Sequence, residues 1–77
     1  MTNYEAIGDW RIRINGNEHG VPHAHVLFKD GSRVSVDIET RALLSGNVAP
    51  AKRLMPALAD IAANERQYLE EYRRLNP

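Results

Sequence analysis

His23-Ala24-His25-Val26-Leu27-Phe28-Lys29-Asp30-Gly31-Ser32-Arg33-Val34-Ser35-Val36-Asp37-Ile38 holds two alternating runs around one turn. Residues 24 to 28 read as a strand. Residues 33 to 38 are the cleanest period-two segment in the chain, with Val34, Val36 and Ile38 on one face. Residues paired across a hairpin share a face, so parity tests the register. A two-residue Asp30-Gly31 turn would pair Leu27 with Val34, placing the valines beside His25 and Lys29 and splitting the core. A three-residue loop, Lys29-Asp30-Gly31 with Gly31 left-handed, instead pairs Phe28 with Ser32, Val26 with Val34 and Ala24 with Val36. That register keeps the apolar residues together and is the one expected.

Upstream, Trp10, Ile12 and Ile14 alternate with Asp9, Arg11, Arg13 and Asn15, the pattern of a half-buried strand, and Asn15-Gly16-Asn17 ends it. Downstream, a turn at Glu39-Thr40-Arg41 leads to a short strand over Ala42 to Leu44, and Ser45-Gly46-Asn47 closes the sheet region. Beyond residue 48 the spacing becomes helical. Pro50 suits a first helical position, and Leu54, Leu58, Ile61, Tyr68, Tyr72 and Leu75 form one apolar stripe. Pro56 removes a backbone donor within that stripe, so it demands a kink or a helix that starts near it. Asn64-Glu65-Arg66-Gln67 resembles a capping box.

The expected fold is therefore α+β: a three- to four-stranded antiparallel meander with one face covered by one kinked helix or two consecutive C-terminal helices. Residues 9–45 form the sheet region and 48–75 the helical region of a single domain, with 1–8 a flexible arm. At 77 residues there is room for only one modest core. The absence of cysteine excludes disulfides, thiolate metal sites and a cysteine nucleophile. Ten basic residues balance ten acidic ones, which argues against a strongly basic nucleic-acid module. No apolar run reaches membrane-spanning length and the N-terminus lacks the pattern of a signal peptide, so a soluble cytoplasmic chain with no membrane partner is expected.

Candidate chemistry is concentrated in His19-Gly20-Val21-Pro22-His23-Ala24-His25. His23 and His25 are two apart at a strand start and leave the same face, while His19 sits on a loop able to fold back. Three converging imidazoles would suit zinc or a similar divalent ion, with Glu18 and Asp37 as the available carboxylates. The plainer reading has these rings shaping the turn by bonding backbone carbonyls beside Pro22.

A third reading uses the whole polar sheet face, which would carry Asp9, Arg11, Arg13, His23, His25, Lys29, Arg33, Ser35 and Asp37. Arg11, Arg13, Lys29 and Arg33 could grip phosphates. His23 and His25 beside Arg11 or Arg13 are the catalytic candidates for RNA cleavage. Its plain counterpart is a solvated sheet face. No glycine-rich phosphate loop or Ser-His-Asp pattern is present.

The motif His19-x-x-Pro22-His23-x-His25-Val26, followed by Val36-Asp37-Ile38, Pro50 and Asn64-Glu65-Arg66 with Leu69, resembles the small prokaryotic family known as domain of unknown function 4160. The resemblance runs from residue 9 onward. Val21 stands where that family has a first proline, Ala24 where it has an aromatic, and Arg41 where it has a turn glycine, while Pro56 interrupts the first helix. The histidine spacing is intact. The resemblance implies a bacterial source and, because members are often encoded beside another small protein, one member of a toxin-antitoxin-like pair.

Two functional classes follow. The first is a protein-interaction module whose partner is another small protein, a homodimer being a further option because sheet edges stay open. The second is a small ribonuclease or metal-dependent hydrolase using the His19, His23 and His25 cluster and the basic face.

Overall fold

A computed structural model describes residues 1–77. The alternation of Trp10, Ile12 and Ile14 forms β2 (Trp10–Ile14), which buries all three. β3 (His23–Phe28) and β4 (Arg33–Asp37) bury Ala24, Val26, Phe28, Val34 and Val36 on the same face. The β3–β4 register pairs Ala24 with Val36 and Val26 with Val34, as parity required. The Phe28 amide donates to the Ser32 carbonyl at 2.9 Å, and Gly31 takes φ 91°, so the three-residue loop carries the left-handed glycine.

The sheet is an antiparallel meander whose strands lie side by side in chain order. It has five strands where three or four were expected. The addition is β1 (Thr2–Asn3), drawn from the segment expected to be a flexible arm, which pairs Thr2 with Ile14 and Asn3 with Arg13. Tyr4 holds it down by donating its amide to the Ile12 carbonyl at 2.9 Å and stacking edge-on against Tyr68 at 5.1 Å. An aromatic ring without alternation around it gives no strand signal, so this anchoring depends on Tyr68, far along the chain. The last strand also differs from expectation: β5 covers Leu43–Asn47 and incorporates the Ser45-Gly46-Asn47 turn signal. Gly46 makes this pairing fit, because a Cβ there would stand 2.2 Å from the Arg33 carbonyl oxygen.

Helix formation starts later than Pro50 implied. Pro50 caps a 3₁₀ turn over Ala51–Leu54, and α1 (Met55–Ala63) then begins with Pro56 in its first turn, where the missing N–H costs nothing. α2 (Glu65–Leu75) follows after Asn64, giving two consecutive helices. Asn64 does not close a capping box. Its side-chain amide donates back to the Asp60 carbonyl at 3.0 Å and to Asp60 Oδ1 at 3.1 Å, so it finishes α1.

Ala57 and Ile61 of α1 and Tyr68, Leu69 and Tyr72 of α2 are buried against the apolar sheet face, with Leu54, Leu58 and Leu75 partly covered around them. Each large aliphatic side chain removed from water there contributes about 1.5–3 kcal/mol. No helix is long and apolar enough to cross a membrane.

Candidate functional site

The loop between β2 and β3 turns sharply because Asn17 and Gly20 take positive φ, 56° and 89°. The end of α2 holds it. Asn76 accepts the Glu18 amide at 2.7 Å through Oδ1 and donates through Nδ2 to the Asn15 carbonyl at 2.9 Å. Glu18 is thereby set over the start of β3. Its Oε1 lies 3.2 Å from His25 Nε2 and 3.7 Å from His23 Nε2, and accepts from Asn15 Nδ2 at 3.3 Å.

The far side of each ring is also engaged. His23 Nδ1 stands 2.8 Å from the Val21 carbonyl oxygen, and His25 Nδ1 3.2 Å from Ser35 Oγ, its cross-strand neighbour. The two imidazoles meet edge to face at 5.3 Å, and the buried Tyr72 ring lies 5.5 Å from His23. A carbonyl can only accept, so it holds a proton on His23 Nδ1, and in the neutral ring the Nε2 lone pair then faces the Glu18 carboxylate. Two acceptors directed at one another require a proton or a cation between them. Burial pushes the Glu18 carboxyl up, but the hydrogen bonds from His25 and Asn15 and the charge His23 and His25 can carry outweigh it and hold it below its ordinary value. Burial, and then the Glu18 charge, raise the Tyr72 phenol.

His19 is not part of this convergence. It is exposed and lines a surface groove with Asn17, Glu18, Leu75, Asn76 and Pro77, away from the His23 and His25 rings. The third member beside His23 and His25 is Glu18. Spacing alone named it only as an available carboxylate, since the backbone bonds that aim it come from residue 76. Asp37 stays in its own turn, its Oδ1 accepting the amides of Glu39 at 2.8 Å and Thr40 at 3.0 Å.

The basic residues divide between places. Arg11, Arg13 and Lys29 line one open depression of about 330 Å³ with Asp9 and Leu27, whereas Arg33 lies outside it on β4. Arg13 sits opposite His25 in the β2–β3 register, but its Nε donates to Asn3 Oδ1 at 2.7 Å and so turns toward β1. Asp9 receives Arg53 at 2.8 Å and offsets the positive charge locally.

The opposite edge has a different character. Every residue of β5 is exposed, and Leu43 and Leu44 remain 53% and 45% accessible. Residues 42–48, Ala-Leu-Leu-Ser-Gly-Asn-Val, contain no charge and no proline. A small apolar depression of about 90 Å³ beside the strand is lined by Val34, Leu43, Val48, Ala51 and Leu54. The apolar pair Leu43-Leu44 is too short for periodicity to reveal that it faces outward.

No curated protein and no solved structure matches the chain. The family model for Domain of unknown function (DUF4160) matches residues 9–73, the span that contains β2 to β5, the Glu18, His23 and His25 cluster and nearly all of both helices. The chain therefore belongs to the DUF4160 family.

Proposed function

We propose that this protein is an interaction module that receives a β-strand from another small protein along β5, as one member of a toxin-antitoxin-like pair. The observation that carries this reading is the unpaired outer edge of β5, with Leu43 and Leu44 exposed and no lysine or proline to block strand addition. The other edge, β1, is only two residues long and offers little ladder to extend.

The test is capture from native extract with wild type and Leu44→Lys, followed by purification of the captured protein and reconstitution. A stoichiometric complex that wild type forms and Leu44→Lys does not form supports the reading. Equal binding by both, or no reconstituted complex, removes it. A wild-type dimer in solution that Leu44→Lys dissociates would assign the edge to a second copy of this chain instead.

A second reading, a small ribonuclease or metal-dependent hydrolase, draws on the meeting of His23 and His25 on a face that also carries Arg13. RNA and phosphodiester assays on wild type and His23→Ala decide it: equal activity, or none in either, ends the proposal.

A further inference from the structure

We propose that Glu18, His23 and His25 form a binding site for one divalent ion of the zinc class. The inference is independent of docking along β5, and its failure would leave that reading untouched.

The geometry comes first. One ligand atom from each residue lies within 4.8 Å of the others. Bonds of about 2.0–2.1 Å to a tetrahedral ion place neighbouring ligand atoms about 3.3 Å apart. The separations from Glu18 Oε1, 3.2 Å to His25 Nε2 and 3.7 Å to His23 Nε2, bracket that value. The two histidine nitrogens lie within 4.8 Å of each other, so closing the set takes a rotation of the two rings toward the loop carboxylate.

Proton placement comes next. A histidine that binds a metal through one nitrogen generally donates its other N–H to a carbonyl, carboxylate or hydroxyl, which fixes the tautomer. The Val21 carbonyl does this for His23 and Ser35 Oγ is placed to do it for His25. Metal binding takes the place of the proton that His25 Nε2 otherwise shares with Glu18, so that both Nε2 lone pairs meet the cation beside the same carboxylate oxygen.

The donor set selects the ion. Two imidazoles and one carboxylate suit zinc and its neighbours, while magnesium and calcium favour all-oxygen sites and copper(I) favours sulfur. The side chains of His23, His25 and Glu18 keep 12%, 17% and 29% of their surface, so the fourth position remains within reach of water or an exogenous ligand. Because Glu18 is tied to Asn76, the ion would also fasten the loop and the end of α2 to the start of β3.

The experiment is a zinc titration of untagged, chelator-stripped full-length protein, monitored by calorimetry and by the imidazole NMR signals. Wild type is expected to take up one equivalent, with His23 and His25 signals moving together and His19 staying put. Glu18→Gln and His25→Ala should each abolish or strongly weaken uptake, Ser35→Ala should weaken it by about tenfold, and His19→Ala should leave it unchanged. Glu18→Gln changes a loop residue without altering its size, so it keeps the test decisive if His25→Ala does not fold. No stoichiometric uptake by wild type, full uptake by Glu18→Gln, or a loss in His19→Ala equal to that in His25→Ala would overturn the site.

Discussion

Tyr68 of α2 donates its hydroxyl to Asp60 Oδ2 of α1 at 2.5 Å, bridging the break between the two helices. Asn64 also turns back to Asp60, so one carboxylate gathers the end of α1 and the first turn of α2. Burial, then the hydrogen bond to Asp60 and its charge, push the Tyr68 phenol above its ordinary value.

Tyr68→Phe removes the bridge while keeping the ring against Tyr4. A hydrogen bond to a charged acceptor contributes about 1.5–3 kcal/mol, so the variant is expected to lose roughly 2 kcal/mol in a denaturant melt. The pH dependence has a definite sign. The raised native value lets the unfolded chain lose its phenol proton first, so the contribution is intact below about pH 10 and declines as pH rises beyond it. Melts between neutral pH and pH 11 should show a shallower decline for Tyr68→Phe than for wild type.

Glu71 accepts from Thr2 Oγ1 and pairs with Arg74, which fastens β1 to α2. The Arg74 hydrogen bonds, followed by the one from Thr2, lower its carboxyl from the ordinary 4.5 to about 2. A lowered native value contributes stability above the unfolded pKa that is lost as pH falls from about 4.5 toward about 2. Glu71→Gln should therefore be less stable than wild type at pH 7 and flatter across that acid window. Hydrogen exchange should show the Tyr4 amide, which donates to the Ile12 carbonyl, losing protection.

Gly31 and Gly46 have similar backbones, φ 91° and 80°, but different surroundings. A Cβ on Gly31 meets nothing within 4 Å, whereas one on Gly46 strikes the Arg33 carbonyl at 2.2 Å and Val34 Cα at 3.1 Å. Gly31→Ala is expected to cost about 1–2 kcal/mol from the left-handed backbone alone. Gly46→Ala should cost more and release β5, seen as faster amide exchange at Ser45 and Asn47 with β2 and β3 unchanged.

Arg53 joins the 3₁₀ turn to two loops, reaching Asp9 and Asp30 at 2.8 Å each while its guanidinium lies 5.1 Å from the Phe28 ring centre. A planar fork serves both carboxylates at once and a lysine ammonium cannot. Arg53→Lys should lower the melting midpoint and Arg53→Ala should lower it further, both differences shrinking in high salt as exposed ion pairs are screened.

The hairpin and its register were legible because period-two alternation and a left-handed glycine admit only one arrangement that keeps Val26, Val34 and Val36 together. The same logic located β2 and the apolar stripe through Ile61, Tyr68 and Tyr72, since burial is recorded in each element's own spacing. β1 was not legible. Its two residues carry no pattern, and the strand exists because Tyr4 meets Tyr68 and Thr2 meets Glu71 across most of the chain.

What the sequence determined by itself was the α+β meander and the presence of His23 and His25 on one face of a strand, both consequences of local periodicity. Only the tertiary structure decided that Glu18 and not His19 completes their cluster, and that Leu43 and Leu44 stand on an open edge. The first follows from Asn76, 58 residues away, which orients the Glu18 backbone. The second follows from the order of strands, which leaves β5 with a neighbour on one side only. Contacts between residues distant in the chain leave no mark in the spacing of either partner, so folding alone brings them into view.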